Sequence, residues 1–207
     1  MREHGRLAQQ RSTTVRGPQV HDRTIVTERP DRMWVVDATG CMTDEGNATV
    51  PALRLKLLDH CNGELLGVQA ALCGTRFETA APKAMECLRE AIWATKVRYD
   101  VGVAQGVSLR HDHGSQFVSH AFQDELRTVA IASSPSFVRQ PEGNGCVERF
   151  IRSLKEQRLW LRRFPTVTEL EAALREFQER FNHHWIIGRI GNRTLAQHQR
   201  ILLGEAA

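Results

Sequence analysis

The sequence predicts a mixed α/β domain in which helices cover both faces of a central sheet. Two observations indicate this class. The predicted elements run in the order strand, strand, strand, helix, strand, helix, strand, helix, helix, which is typical of a mixed sheet flanked by helices. The 207 residues are 41% hydrophobic and 25% charged, the balance of a folded globular protein. This length fits one main domain of roughly 150 to 170 residues with short appendages.

Short apolar runs rich in β-branched residues predict five strands. They cover residues 33–39, 52–59, 64–71, 107–110 and 129–132. Asn62-Gly63 is the strongest hairpin signal in the chain and predicts a tight turn between the second and third strands. The sequence between residues 133 and 145 contains several prolines and glycines and predicts a loop.

Apolar residues at helical spacing predict the helices. They cover residues 79–95, a segment capped by Ser119, residues 146–163, and a segment that opens with the capping pattern Thr166-x-x-Glu169. The third of these helices should bury Phe150, Leu154 and Leu161.

Charge is unevenly distributed along the chain. Residues 1–32 carry a net charge of +3, lack a sustained apolar period and predict an extended basic arm. Residues 149–163 carry +5, whereas the remaining residues sum to −4. Most of these cations are arginines, whose guanidinium fork binds two phosphate oxygens at once. The distribution favours a polyanionic partner, although the total charge of +4 is too small to identify one.

Neither a membrane segment nor a disulfide framework is expected. No run approaches the roughly 18 apolar residues of a membrane helix, and the first residues lack the apolar core of a signal peptide. The five cysteines are odd in number and contain no C-x-x-C pair. We therefore expect a cytoplasmic protein without a membrane partner.

Three acidic residues stand where an ordinary surface carboxylate would not. Asp37 interrupts an apolar strand, Asp112 directly follows the fourth strand, and Glu148 lies in the first turn of a helix after a glycine-rich segment. Singly, each has an ordinary explanation as a turn former or a helix-dipole partner. Together, three converging carboxylates would repel one another, and divalent cations usually relieve such repulsion. Oxygen ligands of this kind select Mg²⁺ or Mn²⁺.

The neighbours of these acids carry a resemblance to a known family. The matching stretches are residues 33–39 (MWVVDAT), 110–117 (RHDHGSQF) and 143–157 (GNGCVERFIRSLKEQ), and 35 residues separate the last two acids. They resemble the integrase-core transposases of bacterial insertion sequences, which share a catalytic domain with retroviral integrases. The resemblance implies a ribonuclease H-like fold with a mixed five-stranded sheet and helices on both faces. It places Asp37 on the first strand and Asp112 after the fourth.

The resemblance also implies the chemistry. Asp37, Asp112 and Glu148 would be the catalytic and metal-binding residues, holding two Mg²⁺ or Mn²⁺ ions that assist the attacking and leaving oxygens. The implied reaction is DNA strand cleavage at a transposon end, followed by strand transfer into a target duplex. A homo-oligomer assembled on DNA would perform it, in the bacterial cytoplasm and associated with the nucleoid.

The helix that begins near Glu148 supplies candidate DNA contacts. Its basic residues are Arg149, Arg152, Lys155 and Arg158. Helix periodicity places Arg152 and Lys155 on the same face as Glu148, where they would bind phosphates beside the scissile bond. A solvated helix face is the alternative interpretation.

Other polar residues near these motifs have weaker interpretations. His111 and His113 flank Asp112 and are zinc ligands by type, but we expect them to orient the backbone or contact DNA. Gln116 is expected to help position the Asp112 loop. The polar and aromatic cluster at residues 182–185 could stack on a base or cap a helix, and we favour capping.

Domain boundaries follow from these motifs and from the family pattern. We expect residues 1–32 to be a basic remnant of an upstream DNA-binding region, residues 33–185 to be the integrase catalytic core, and residues 186–207 to be a C-terminal tail. Full-length relatives carry an upstream helix-turn-helix region, so a separate helix-turn-helix protein is a candidate partner. Two alternative functions stay open: a ribonuclease H-like nuclease that cuts without joining, and a catalytically impaired DNA-binding remnant of a mobile element.

Overall fold

The computed structural model describes residues 32–56, 63–72, 80–135 and 145–204. Most of the predicted basic arm and the predicted turn at Asn62 lie outside these residues. So do residues 136–144 of the predicted loop, whereas residues 133–135 belong to a strand.

A six-stranded mixed sheet forms the centre of the described residues. Its strands are Met33–Thr43 (β1), Gly46–Lys56 (β2), Leu65–Val68 (β3), Ala71–Leu72 (β4), Ser108–His111 (β5) and Ala132–Pro135 (β6). The order is β3-β2-β1-β5-β6, with the two-residue β4 beside β2. β2 is antiparallel to both β1 and β3, whereas β5 is parallel to both β1 and β6. The five strands of the main path confirm the predicted mixed five-stranded sheet.

Helices cover both faces of this sheet. They are Ala80–Lys96 (α1), Ser115–Val118 (α2), His120–Thr128 (α3), Gly145–Leu154 (α4), Val167–Glu179 (α5) and Leu195–Leu203 (α6). α4 continues as a π-helical turn over Lys155–Leu159, and α5 continues as another over Arg180–His184.

β1 is buried on both sides because its alternating side chains enter two separate apolar cores. Trp34 and Val36 pack with the buried residues of α1, α2 and α3. Val35 packs instead with those of α4 and α5. Because side chains alternate along a strand, Asp37 shares the face of Val35. The first predicted acid therefore lies on the α4 side of the sheet.

Several predicted helix features are confirmed. Ser119 caps α3 by accepting a hydrogen bond from the backbone N–H of Phe122 at 3.3 Å, and Thr166 caps α5 by accepting one from Glu169 at 3.1 Å. On α4, Phe150 and Leu154 are buried as expected. Burial of Leu161 is a wrong prediction.

The reason for the exposure of Leu161 is where the helix ends. The helical residues stop at Leu159, which is buried, and the chain then turns to bring Phe164 into the same core. Phe164 also bridges Thr43 at the end of β1. Since Leu159 and Phe164 fill this part of the core, Leu161 remains at the surface.

The observed strands differ in extent from the predicted ones, and β2 starts six residues earlier than expected. β1 is longer than expected and forms a hairpin with β2 through a turn at residues 44–45. The last strand starts at Ala132, not at Val129, because Ala130 has a positive φ of 60° in the turn that ends α3. Val129 and Ile131 are buried there without strand pairing.

The C-terminal segment beyond residue 185 packs in part on the domain. Thr194 caps α6 in a reciprocal capping box with Gln197. Leu195 and Ile190 enter the core shared with α4 and α5. The predicted boundary at residue 185 stays a prediction. Among the described residues, no helix is long and apolar enough to cross a membrane.

Candidate active site

The pairing of β1 with β5 brings the first two predicted acids together. In this parallel pair Trp34 lies opposite Leu109 and Val35 lies opposite Arg110. Continuing the register by two residues places Asp112 beside Asp37 on the α4 side of the sheet. The two acids are 74 intervening residues apart in the sequence, and the parallel pairing makes their strands neighbours in space.

A tight turn holds the Asp112 carboxylate. Its Oδ1 accepts a hydrogen bond from the backbone N–H of Gly114 at 2.9 Å. A Cβ at position 114 would lie 2.7 Å from Nε2 of Gln116 and 2.9 Å from Oδ1 of Asp112, so only glycine fits there without displacement. Gln116 therefore packs against this turn, and its role in positioning Asp112 stays a prediction.

His111 connects the backbone of Asp112 to β6. Its Nδ1 lies 2.6 Å from the carbonyl oxygen of Asp112, and its Nε2 lies 2.9 Å from Oγ of Ser133. Burial lowers the pKa of His111, which favours the neutral ring. In that form Nδ1–H donates to the carbonyl and Nε2 accepts from the serine hydroxyl. Both ring nitrogens are engaged, which agrees with the predicted role in orienting the backbone.

Glu148 approaches the two aspartates from the helix above the sheet. It is exposed in the first turn of α4, whose buried Phe150, Ile151 and Leu154 anchor the helix in the core that also contains Val35. The Glu148 carboxylate is exposed, and its negative charge reaches Asp37, whose pKa it raises.

The charges of this region act on Asp37. Its pKa rises from an ordinary 3.8 to about 6, chiefly because the half-buried carboxylate is removed from water. A hydrogen bond from the backbone N–H of Ala38 at 2.8 Å opposes the rise, whereas the negative charges of Asp112 and Glu148 add to it. The ammonium group of Lys155 lowers the pKa. The three acids thus share one electrostatic neighbourhood.

The three acids are of the chemical type that binds a divalent cation, although they do not form a compact cluster. Among the described residues, no three His, Cys, Asp or Glu side chains lie close enough to hold one ion. All three groups are nevertheless carboxylates, the ligands that Mg²⁺ and Mn²⁺ prefer. A cation would also offset the mutual repulsion that raises the pKa of Asp37.

The predicted DNA contacts on α4 divide into two kinds. Arg149 and Arg152 are exposed, and Lys155 is half-buried near Asp37. Arg158 instead donates from Nε to the carbonyl of Ala173 at 3.1 Å and pairs with the Glu176 carboxylate. Its charge is therefore partly neutralised by α5.

Sequence reasoning missed Arg110, which lies two residues before Asp112 on the same face. It is only 5% exposed, and its Nε has no hydrogen-bond partner among the residues that the structure describes. Burial lowers its pKa. Arg110 belongs to the predicted strand at residues 107–110. An arginine in a short strand usually lies on an exposed face, so the sequence did not indicate that this one is buried.

Asn182, the first residue of the polar cluster at residues 182–185, has a structural role different from both predicted ones, whereas Trp185 is the C-terminal cap residue of the π-helical turn. Asn182 is buried, and its side chain accepts from the backbone N–H of Leu65 and donates to the carbonyl of Leu65, both at 2.9 Å. It therefore pairs with the backbone of β3 at the edge of the sheet. Trp185 packs edge-on against Phe181 at 5.6 Å between ring centroids.

Sequence comparisons connect this site to integrase-core proteins. Residues 130–186 match a family model described as the integrase core domain. The transposase for insertion sequence element IS629 of Shigella sonnei is 24% identical over 179 residues, covering 86% of this chain and 55% of the relative. The chain thus spans about half the length of that curated relative.

The fold is similar to those of solved integrases and transposases. A chain of the simian T-cell lymphotropic virus intasome, solved with PP2A regulatory subunit B56 gamma, has a TM-score of 0.61 at 19% identity, covering 88% of this chain and 58% of that one. The HTLV-2 integrase catalytic core domain in complex with magnesium has a TM-score of 0.55 at 17% identity, covering 83% and 98%. The Mos1 mariner transposase catalytic domain reaches 0.50 at 14% identity, covering 71% and 69%.

At these identities the structural likeness concerns the fold, which is ribonuclease H-like. The helices on both faces of the mixed sheet agree with it. The integrase-core match over residues 130–186, the similarity to a transposase and this shared fold together support the resemblance to integrase-core transposases.

Proposed function

We propose that this chain catalyses divalent-metal-dependent DNA strand cleavage and strand transfer at Asp37, Asp112 and Glu148. The proposal is supported chiefly by the electrostatic coupling of these acids, since the negative charges of Asp112 and Glu148 both raise the pKa of Asp37. Magnesium in the HTLV-2 integrase core supports the choice of Mg²⁺ or Mn²⁺. We propose two ions, because three carboxylates concentrate more negative charge than one divalent cation offsets.

The protein's own groups have distinct tasks in this reaction. When bound, the ions would stabilise charge on the attacking and leaving oxygens of the phosphodiester. Asp112 is oriented by the Gly114 N–H and by the His111 ring beneath it. Asp37 is oriented by the N–H of Ala38. No side-chain nucleophile is required, because water attacks in cleavage and a DNA 3′-hydroxyl attacks in strand transfer.

DNA would lie along the exposed side of α4. We propose that Arg149, Arg152 and Lys155 bind phosphates on either side of the scissile bond, since they lie within two helical turns of Glu148 on the same helix. Lys155 is the best placed of these because its charge already reaches Asp37. Arg158 would contribute less, because Glu176 engages its guanidinium.

The wider biological role is also a proposal, since the chain spans only part of its transposase relative. We propose that the substrates are transposon ends and a target duplex, and that residues 33–185 form the catalytic core. The active species would be a homo-oligomer on DNA in the cytoplasm, with end recognition contributed by a helix-turn-helix region or partner protein.

The metal part of this proposal has a direct thermal test. Mg²⁺ or Mn²⁺ should raise the melting temperature of the wild-type chain, because the ions bind only the folded state. Asp112→Asn should remove most of this increase while keeping an acceptor for the Gly114 N–H. Asp100→Asn is the matched control on an exposed loop and should leave the increase intact. An increase that persists in Asp112→Asn would refute the assigned site.

The reaction itself is tested with labelled DNA. Wild-type chain and Mn²⁺ should produce both nicked strands and strands joined to a second duplex, and Glu148→Gln should abolish both products while retaining DNA binding. Nicked products without joined ones would favour the nuclease alternative. Absence of both products, despite metal-dependent stabilisation and DNA binding, would favour the catalytically impaired remnant.

A further inference from the structure

A second surface lies beside the candidate active site, where β1 ends and the helix from Glu148 terminates. It is a groove of about 700 Å³ between residues 40–42 of β1 and residues 159–163. All of its lining residues belong to the described part of the chain. None of them has a role in the site formed by Asp37, Asp112 and Glu148.

Large apolar side chains line this groove and remain in water. Trp160 is 67% exposed, Leu161 is 70% exposed and Met42 is 69% exposed. The adjacent core does not need them, because Leu159 and Phe164 already fill it. Trp160 and Leu161 present two large apolar side chains together in one concave surface, which indicates a binding site more strongly than the same residues scattered singly would.

The rim of the groove is cationic. The guanidinium of Arg162 lies over the Phe164 ring at 4.9 Å, and the described residues include no carboxylate that pairs with it. Arg163 is exposed and pairs with Asp44 at 2.8 Å. These arginines end the basic segment that begins at Arg149, which carries a net charge of +5 over residues 149–163.

Two independent measures place the groove about 16 Å from the catalytic acids. Five residues of strand separate Asp37 from Met42, which corresponds to about 16 Å at roughly 3.3 Å per residue. Eleven residues of helix separate Glu148 from Leu159, which also corresponds to about 16 Å at roughly 1.5 Å per residue. A DNA duplex covers this distance in about five base pairs.

We propose that this groove binds the DNA strand that flanks the cleavage site, stacking an unpaired base on Trp160 with phosphates at Arg162 and Arg163. The inference rests on the proposed DNA-cleaving function. An exposed indole between arginines matches the surfaces that bind single-stranded nucleic acid, where bases stack on aromatic rings and cations follow the backbone. An unpaired base fits better than an intact duplex, because pairing hides the base faces that an indole would contact. The cationic rim favours DNA over a protein partner.

The test compares binding of two DNAs by fluorescence anisotropy at physiological salt. One is a fully paired duplex, and the other carries an unpaired stretch about five nucleotides from a nick. Trp160→Ala should weaken binding of the unpaired DNA about tenfold and that of the duplex less than about twofold. Trp160→Phe should restore most of the binding, because it keeps an aromatic face. Trp93→Ala is the matched control, since Trp93 is 56% exposed on α1 at the opposite face of the sheet.

The outcomes separate this inference from the proposed function. Lys155→Glu should weaken binding of both DNAs if α4 binds phosphates. If Lys155→Glu has this effect and Trp160→Ala behaves like Trp93→Ala, the groove inference is overturned and the proposed function stands. Wild-type chain that binds neither DNA would overturn both. If Trp160→Ala changes the sedimentation coefficient without changing DNA affinity, the groove is an interface between copies, and the inference fails. Circular dichroism of each variant verifies that it remains folded.

Discussion

Asp37→Asn is expected to stabilise the protein when divalent cations are removed. The carboxylate of Asp37 is half-buried beside two other acids, so its negative charge is unfavourable in the folded state. Asparagine removes the charge and keeps an oxygen that can accept the hydrogen bond from Ala38 N–H. The substitution therefore removes a cost without removing the local backbone contact.

The magnitude follows from the rise in the pKa of Asp37 from 3.8 to about 6. A pKa of Asp37 that is roughly two units higher in the folded state than in the unfolded state corresponds to about 3 kcal/mol of lost stability at neutral pH. Solvent screening at this partly exposed site reduces the value to about 1–2 kcal/mol. For a domain of this size, the melting temperature should rise by roughly 2–8 °C.

The gain has a defined pH dependence. Above about pH 6 the Asp37 carboxylate is ionised in both states, and the folded state bears the full cost of its charge. Below about pH 4 the group is protonated in both states, and the cost disappears. The free energy of unfolding of the wild type should thus fall between these values as pH rises, and the advantage of Asp37→Asn should be largest above pH 6.

Thermal unfolding by circular dichroism, in EDTA at pH 7.5 and pH 4, measures this effect. Asp100→Asn is the control, because Asp100 likewise accepts a hydrogen bond from the N–H of the next residue, at 2.8 Å, but is exposed. It should change stability by less than about 0.5 kcal/mol. The reasoning is refuted if Asp37→Asn matches this control at pH 7.5, or if its gain is the same at pH 4.

The other predictions concern Arg110, Asn182 and two arginines of the α4 segment. Arg110→Met should raise the free energy of unfolding, measured by urea denaturation, by about 1 kcal/mol, because an apolar chain replaces a buried guanidinium whose Nε has no partner within the described ranges; a lower free energy of unfolding would contradict this. Asn182→Ala should lower it by roughly 2 kcal/mol, since two hydrogen bonds to the edge strand are lost; a negligible change would mean that water replaces them. Arg158→Ala should reduce stability in urea denaturation, because contacts to Glu176 and to the backbone are lost, but change DNA affinity less than about twofold. Arg152→Ala should instead weaken DNA binding in fluorescence anisotropy and leave stability nearly unchanged.

The sequence was informative where local pattern and chemistry coincide. The apolar β-branched run around Asp37 predicted a buried strand, and capping residues such as Ser119 and Thr166 predicted where helices begin. These features depend on a few neighbouring residues, so they are readable without knowledge of the remote chain. The same is true of the resemblance, because the motifs around Asp37, Asp112 and Glu148 are short and contiguous.

Features that depend on a choice between nearby apolar residues were less predictable. Periodicity favoured burial of Leu161 because it continues the apolar face of the helix. The structure ends the helix at Leu159 and fills the core with Phe164, which leaves Leu161 and Trp160 in the groove. Helix length here is decided by which side chain fits the space beside β1, and this space is formed by distant parts of the chain.

By itself, the sequence predicted the order of the five main strands and of the longer helices between residues 80 and 179, three candidate acids and the basic character of the α4 segment. Only the tertiary structure decided that Asp112 lies beside Asp37, that Arg110 is buried, and that Asn182 pairs with the edge of β3. The physical reason is that strand register and side-chain burial are collective properties. A parallel pairing aligns residues far apart in the chain, and each buried group is selected by the packing of several elements at once.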